Sequence, residues 1–583
     1  MPRERKKTRS AQSVKDAEPR ILGFRREHLI LLAIFLFAVF VRIQADPNIP
    51  YHYDPGKNIV YARAALQSFP LFPQTNPYFN LGEYFDYQVL FPYTVAFLNL
   101  LTGISLVDST KWLVILAGSA LCLTVYYLSL ELFHDETAAL VSAFVIAASK
   151  IQLLAYMNYY PQILAMMFMP LGFLFLIRYV RSGNARDLVL VALLSSLIVL
   201  ASYIAAFVYF LIVAVSLALW AVKDTGTIKT LLLVPAMTMA LLTFFWLPIA
   251  WRLGSLNFFG IAKWGLFTAT SSPFTNEPWT LVNYLSVSGI TVVTVIMGLA
   301  ALWLIRKIQW DFGKLLLAVW LTCVFFLMES YLVRPILWVD RYAQFLDIAV
   351  LLLTGTLFSL FISKMNTEKT MNSPVGGYIL LLLLLLPLYG AVHVDTIYGK
   401  WGYPSDFAAA EYMKGLPPGT LVVAPPSVQS FWVSALSGAH VLGGESAQMI
   451  YPMYRGDGDS NTIINSADVE RKMELIRKYG VNYVLIPYHT PVYMMWNADV
   501  DQAGVDAFNN TKYFTVEKYF EDKYGSTVLL KVRENLTPRY NALETNGGVT
   551  VAGYLVSIIV FIGCLYLCTV KKIPQVLGKN LFG

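Results

Sequence analysis

Apolar residues in this chain run in unbroken blocks rather than in alternation. They fall at Leu29–Ala45, Lys111–Leu130, Ala138–Ala155, Ile163–Val180, Leu188–Ala221, Leu231–Trp251, Leu281–Ile305, Leu315–Tyr331, Phe345–Ile362, Gly377–Val392 and Val549–Thr569. Continuous runs near about 20 residues predict membrane-crossing helices and exclude a membrane barrel, whose strands alternate. Leu188–Ala221 would be about 50 Å long at about 1.5 Å per residue, too long for one pass. It is therefore expected to break into two passes near Ser202. Val89–Leu101 is shorter and interrupted by Pro92 and Asn99, so it predicts a helix lying at the interface, not a span. The pattern predicts an α-helical multi-pass membrane protein with about twelve spans.

Charge orders these blocks. Counting Val89–Leu101 as external puts Arg178, Arg181, Arg186, Lys223, Lys229, Arg306, Lys307, Lys314, Lys364, Lys369, Lys571 and Lys572 on one side, as the positive-inside rule requires. Both termini are then cytoplasmic, and residues 1–28 form a basic tail. The first external loop is 46–110, within a membrane domain of residues 29–393. Residues 394–547 are external, and 548–583 hold the last span and a short tail.

The segment 394–547 has another pattern. Leu421–Val423, Val441–Leu442, Val481–Ile486 and Thr527–Val532 read as short buried strands. Asp468–Tyr479 places Val469, Met473 and Ile476 at helical spacing. Alternation of the two predicts a small external α/β domain before the last span. The stretch PPSVQSFWVSALSG reads as a strand end, a turn and a helix, with an acceptor-binding or structural role. Ser427 and His440 do not make a hydrolase there, because no Gly-x-Ser-x-Gly elbow exists. Asn509 and Asn535 begin Asn-x-Thr sequons, which suits an external domain.

Composition agrees with this class. Hydrophobic residues make up 57% of 583, and mean hydropathy is +0.55, beyond what a soluble chain needs. The net charge of +7 is placed in the tail and the short loops, so it is a topology signal and nucleic acid is not an expected partner. Cys122, Cys323, Cys564 and Cys568 all lie in apolar blocks, which leaves neither a disulfide framework nor a zinc spacing.

The candidate chemistry lies in the first external loop, at Tyr51–Arg63, YHYDPGKNIVYAR. Asp54, followed by Pro55, is either a solvated turn residue or a general base. A hydroxyl or amide attacking a sugar anomeric carbon, with a lipid phosphate as leaving group, needs such a base. Lys57 and Arg63 could contact the donor phosphate or orient Asp54. Glu83 and Asp86, three residues apart in GEYFDY, could share a helical face, assist Asp54, bind acceptor hydroxyls or hold a divalent cation. Arg334, Asp340 and Arg341 occupy a short external loop, and Lys263 lies in FFGIAKWG of another. External basic residues run against the topology rule, which makes Arg341 and Lys263 candidates for phosphate recognition.

An outward span, a Tyr/His-rich approach to an Asp, then a tyrosine, an arginine and an external helix together resemble the GT-C membrane glycosyltransferases. Asp54-Pro55 with Arg63 is similar to the first-loop motif of the oligosaccharyltransferase catalytic subunit. Leu90-Phe91-Pro92-Tyr93 resembles the proline-containing start of that family's external helix. Asn158-Tyr159-Tyr160-Pro161 stands where the family has its second motif. The resemblance implies that Asp54 is the base and that a basic residue of a late external loop, here Arg341, binds phosphate; Lys57, Arg63, Asn158 and Lys263 are the further candidates for substrate binding. It implies a polyprenyl-phosphate-linked sugar donor, an external lipid-linked glycan, glycolipid or protein acceptor, and an inverting reaction that requires no cofactor. Asn158 replaces the family's acidic pair, and no Trp-Trp-Asp acceptor motif is present. These departures imply transfer of a single sugar rather than of a whole oligosaccharide. The alternative from another class is a transporter or a lipid or glycan flippase. That class places ionisable groups mid-membrane and often has paired repeats.

Overall fold

The computed structural model describes residues 26–45, 53–69, 71, 73, 75–78, 83–84, 88–153, 159–253, 310–332, 341–367, 404–425, 428–443, 455–489, 501–523, 525–540 and 547–569. The long apolar blocks become helices because only a helix satisfies its own backbone groups away from water. In chain order these are α1 (Arg26–Ala45), the first-loop helix α2 (Tyr53–Ser68), α3 (Leu90–Thr102), α4 (Leu106–Phe133), α5 (Glu136–Ala147) and α6 (Tyr160–Ser182). Then follow α7 (Ala185–Ala201), α8 (Tyr203–Ala221), α9 (Thr227–Leu241), α10 (Thr243–Leu253), α11 (Phe312–Met328) and α12 (Tyr342–Thr367). Among the described residues, α1, α4, α6, α8, α12 and the final helix Gly547–Thr569 are long and apolar enough to cross a membrane. The pair α9–α10, bent by 73°, makes a seventh candidate. About twelve spans were expected from the hydropathy pattern. The shortfall has two sources: Leu281–Ile305 and Gly377–Val392 lie outside the described residues, and other blocks fold as shorter pieces.

Local chemistry explains those pieces. Ser202, at φ −156°, ends α7, and its Oγ accepts the Ala205 N–H to begin α8, so the expected break falls at that residue. The block 138–155 does not form one helix. Helix α5 starts on an Asp135 cap, whose carboxylate accepts from Thr137 and Ala138 N–H at 2.9 and 3.1 Å, and stops at Ala147. Ser149 follows the break: its Oγ accepts the Gln152 N–H at 3.3 Å to begin the next turn and donates to Asp347 at 2.6 Å. Helix α3 has 13 residues, about 20 Å at about 1.5 Å per residue, too short to cross as a helix.

Helices α4, α5, α6, α8, α11 and α12 share the main apolar core, which includes Phe173, Tyr209, Trp320 and Phe345. The α5–α12 crossing is the tightest point in it. A Cβ at Gly355 would stand 2.0 Å from Ser142 Oγ and 2.5 Å from the Ala138 carbonyl. That spacing requires glycine, as in close helix packing inside membranes generally.

The α/β domain contains α13 (Pro404–Tyr412), β3 (Leu421–Val423), α14 (Val428–Ser437), β4 (His440–Leu442), α15 (Arg455–Asn465), α16 (Val469–Tyr479), β5 (Tyr483–His489), β6 (Phe514–Asp522) and β7 (Gly525–Val532). The first loop carries a small antiparallel pair of its own, β1 (Thr75–Asn76) and β2 (Glu83–Tyr84). The five-stranded sheet runs β4-β3-β5-β7-β6, with β4, β3 and β5 parallel and the β5–β7 and β7–β6 pairs antiparallel. The four expected strands are present. The edge strand β6, with alternating burial and exposed Val516 and Tyr519, is additional. Helix α16 is capped by Asp468, which accepts from Glu470 and Arg471 N–H. The final helix, α17 (Gly547–Thr569), packs on α10, where Phe244 and Tyr554 stack at 5.2 Å.

Gly355→Val is expected to destabilise the helix bundle by about 1–3 kcal/mol through overpacking. Thermal unfolding of the detergent-solubilised protein checks this, and an unchanged midpoint would contradict the close α5–α12 contact.

Candidate active site

The segment around Asp54 is a helix, not an open turn. Pro55 lacks an N–H and carries a helix-compatible φ, so it is tolerated in the first turn, where Asp54 also lies. An acidic residue in that turn is favoured by the helix dipole. From Asn58 onward α2 is enclosed: Asn58, Ile59, Val60, Tyr61, Ala62, Ala64 and Ala65 are all buried. Ala62 and Ala65 belong to the core of the membrane helices. Ile59, Val60, Tyr61 and Ala64 belong to a second core, shared with Phe431, Trp432, Val433 and Leu436 of α14. Helix α2 is therefore the middle layer between the bundle and the α/β domain.

Close contacts set its position. A Cβ at Gly56 would stand 3.2 Å from the Trp432 ring, so the residue two after Asp54 takes the indole directly on its backbone. Lys57 Nζ lies 5.7 Å from the centroid of the Phe431 ring. Arg63 Nη2 donates to the Ala435 carbonyl at 2.9 Å, in the last turn of α14, where a cation meets the negative end of the helix. Burial pulls the Arg63 guanidinium below its ordinary value, and the nearby Tyr78 phenol opposes this. The Arg63 guanidinium also lies 5.8 Å from the Tyr78 ring centroid.

Tyr78 continues the junction. Its carbonyl accepts from Val441 N–H at 3.2 Å and from Ser434 Oγ at 2.9 Å, which lays the first loop along the β4 edge. The His440 ring is stacked between Tyr78 at 5.2 Å and Tyr540 at 3.7 Å, and its Nδ1 bonds the Pro77 carbonyl. Burial pushes the His440 imidazole below its ordinary value near 6.5.

A second group forms at the start of α12. The Arg341 guanidinium lies over the Tyr159 ring at 4.3 Å. Tyr160 is fully buried and packs on Phe91 of α3 at 5.8 Å.

These placements revise one expectation, at Glu83. Asp54, Lys57 and Arg63 share one helix, and Arg63 is engaged by α14. Glu83 lies in β2, paired with Asn76, so the shared helical face with Asp86 does not form at Glu83. The cause is a turn at Asn76-Pro77-Tyr78, where Asn76 Oδ1 accepts the Tyr78 N–H at 3.2 Å and sends the chain back as a hairpin. Asp86, Asn158, Lys263, Arg334 and Asp340 lie outside the described residues. Among the described residues no three His, Cys, Asp or Glu side chains converge as a metal site. Trp432, Phe431 and Tyr78 were not singled out from the sequence. Their one signal was the Phe-Trp pair in PPSVQSFWVSALSG, whose partner is more than 300 residues away.

No family model matches the chain, and no curated protein matches it in sequence. Solved structures do. The Archaeoglobus fulgidus oligosaccharyltransferase is 16% identical with a TM-score of 0.58, over 79% of this chain and 69% of that one. ArnT from Cupriavidus metallidurans, solved with undecaprenyl phosphate, is 14% identical with a TM-score of 0.58, over 88% of this chain and 99% of that one. The mycobacterial arabinofuranosyltransferase AftD is 13% identical with a TM-score of 0.51, over 86% of this chain and 41% of that one. All three are GT-C glycosyltransferases. This chain has the GT-C fold. The oligosaccharyltransferase has also been solved with an inhibitory peptide and a dolichol-phosphate, and with zinc and sulfate. Within the GT-C fold, this chain places the helix bearing Asp54 between the membrane helices and the α/β domain.

The junction should loosen in acid. The folded value of His440 lies below its unfolded one, so its contribution is present above about pH 6.5 and is lost as pH falls through the lowered folded value. His440→Phe keeps the ring between Tyr78 and Tyr540 and removes the titration. Unfolding midpoints measured against pH should fall more steeply below about pH 6.5 for wild type than for His440→Phe.

Proposed function

We propose that this chain is a membrane glycosyltransferase that takes a sugar from a polyprenyl-phosphate donor and passes it to an external lipid-linked glycan, glycolipid or protein. The observation that carries the reading is the placement of Asp54 in the first turn of a buried helix directly after the first span, within a GT-C fold. ArnT and the archaeal oligosaccharyltransferase, solved with undecaprenyl phosphate and a dolichol-phosphate, support a lipid-phosphate donor.

In this scheme the acceptor oxygen or nitrogen attacks the anomeric carbon as the bond from that carbon to the phosphate oxygen breaks. Asp54 takes the acceptor proton, and the polyprenyl phosphate leaves with the bonding pair. Attack opposite the leaving group inverts the anomeric centre. Arg341, Lys57, Asn158 and Lys263 would meet the donor phosphate, where charge-assisted bonds are strong in a poorly hydrated site. Arg63 acts by holding α14 against α2. Glu83 and Asp86 would bind acceptor hydroxyls, or hold a divalent cation if the reaction uses one.

The transporter reading draws on one observation: Arg42 and Asp347 are buried within candidate spans. Both are tied to the α5 break, with Arg42 Nη1 3.4 Å from the Ala147 carbonyl and Asp347 accepting from Ser149. A structural use for both therefore stands beside a transport one.

Asp54→Asn is expected to lower transfer by at least about 10²-fold at equal protein level, measured with labelled polyprenyl-phosphate sugars and mass spectrometry of lipid and protein fractions. Arg341→Ala is expected to raise the donor KM by about tenfold or more, the scale of one lost charged hydrogen bond. Equal transfer by wild type and Asp54→Asn would remove Asp54 as the base. No transfer by intact wild type across a broad donor panel would favour the transporter.

A further inference from the structure

Three residues at three-residue steps along the start of α12, Arg341, Gln344 and Asp347, reach both chain segments flanking residues 154–158. Upstream, Asp347 Oδ2 accepts from Ser149 Oγ at 2.6 Å and from Gln152 Nε2 at 3.0 Å. The same Gln152 Nε2 donates to the Gln344 carbonyl at 2.9 Å. Downstream, Gln162 Nε2 donates to Gln344 Oε1, and the Tyr159 ring lies under Arg341. Ser149, Gln152, Gln162, Gln344 and Asp347 are all buried. From the opposite side, Arg42 of α1 donates to the Ala147 carbonyl at 3.4 Å. It also packs against α4, where a Cβ at Gly118 would stand 2.8 Å from its Nε.

A buried carboxyl inside a span is expensive unless its hydrogen bonds are made. Here they are made to the two polar side chains that follow the α5 break. Losing the carboxyl would leave the Ser149 and Gln152 donors buried without it, which costs more than the bonds contribute on average. The arrangement is therefore selective: it fixes where the α5 end and the α6 start stand relative to the first turn of α12. Arg341 lies six residues before Asp347, immediately ahead of that first turn.

We propose that Asp347 is a positioning residue that, with Gln344, clamps the α5 and α6 ends to α12 and so holds Arg341 against Tyr159 in a phosphate-binding arrangement. The phosphate part rests on the polyprenyl-phosphate reading above. The clamp itself does not.

The test uses the full-length protein in detergent, with undecaprenyl phosphate as the probe, and the variants Asp347→Leu, Asp347→Asn and Arg341→Ala. Hydrogen exchange should deprotect peptides covering 147–153 and 160–162 in Asp347→Leu, while Asp347→Asn, which keeps an accepting oxygen, stays near wild type. Undecaprenyl phosphate binding should weaken about tenfold in Asp347→Leu and less than about threefold in Asp347→Asn. Adding Asp347→Leu to Arg341→Ala should cause little further loss, because the two act through one contact, whereas a general destabilisation would multiply the losses. Unchanged exchange, wild-type binding by Asp347→Leu, or multiplied losses in the double variant would overturn the proposal. If wild type itself does not bind the probe, the polyprenyl-phosphate reading fails and the exchange result alone decides the clamp. If Asp347→Leu does not fold, Ser149→Ala takes its place, removing one donor with the same predicted deprotection.

Discussion

Burial of α2 on two sides is the constraint on which the rest of this structure depends. A helix of 16 residues after the first span gives one flank, Ala62 and Ala65, to the membrane core, and another, Ile59, Val60, Tyr61 and Ala64, to the α/β domain. Burying a side chain the size of Val or Ile is worth about 1.5–3 kcal/mol, so neither neighbour can move away without exposing apolar surface. The backbone carrying Asp54 is thereby set by two bodies at once. Gly56 under Trp432 and Arg63 on the end of α14 make the contact directional where apolar burial alone would not.

The same logic governs the membrane helices. Apolar contacts there lack a hydrophobic drive relative to lipid, so close approach and buried hydrogen bonds decide the packing. Gly355 lets α12 meet α5 backbone to side chain, and on the same seam Ser142 Oγ donates to the Leu352 carbonyl at 3.4 Å. Where helices break, polar residues take over: Ser202 caps one helix while ending another, and Ser149 turns its hydroxyl to Asp347.

Remote stretches meet in two places: α2 lies against α14 of the α/β domain, and the residue before α12 lies against Tyr159. Asp54, the base of the proposed reaction, stands in the first turn of α2, and Trp432 of α14 lies against that same turn at Gly56.

Hydropathy and residue type by themselves determined the class, most helix positions, the break at Ser202 and four of the five strands of the larger sheet. Those features depend on local pattern: a run of apolar residues has few other stable forms in a membrane, and a serine competes for backbone bonds wherever it sits. Only the tertiary structure decided that Tyr53–Ser68 is a helix, since Asp-Pro-Gly reads locally as a turn and the helix forms because both of its flanks are covered. Only it split the block at 138–155 and gave Ser149, beyond the break, a partner 198 residues away in Asp347. It likewise joined Arg63 to Ala435, 372 residues apart. Contacts at such separations leave no periodic trace in the sequence.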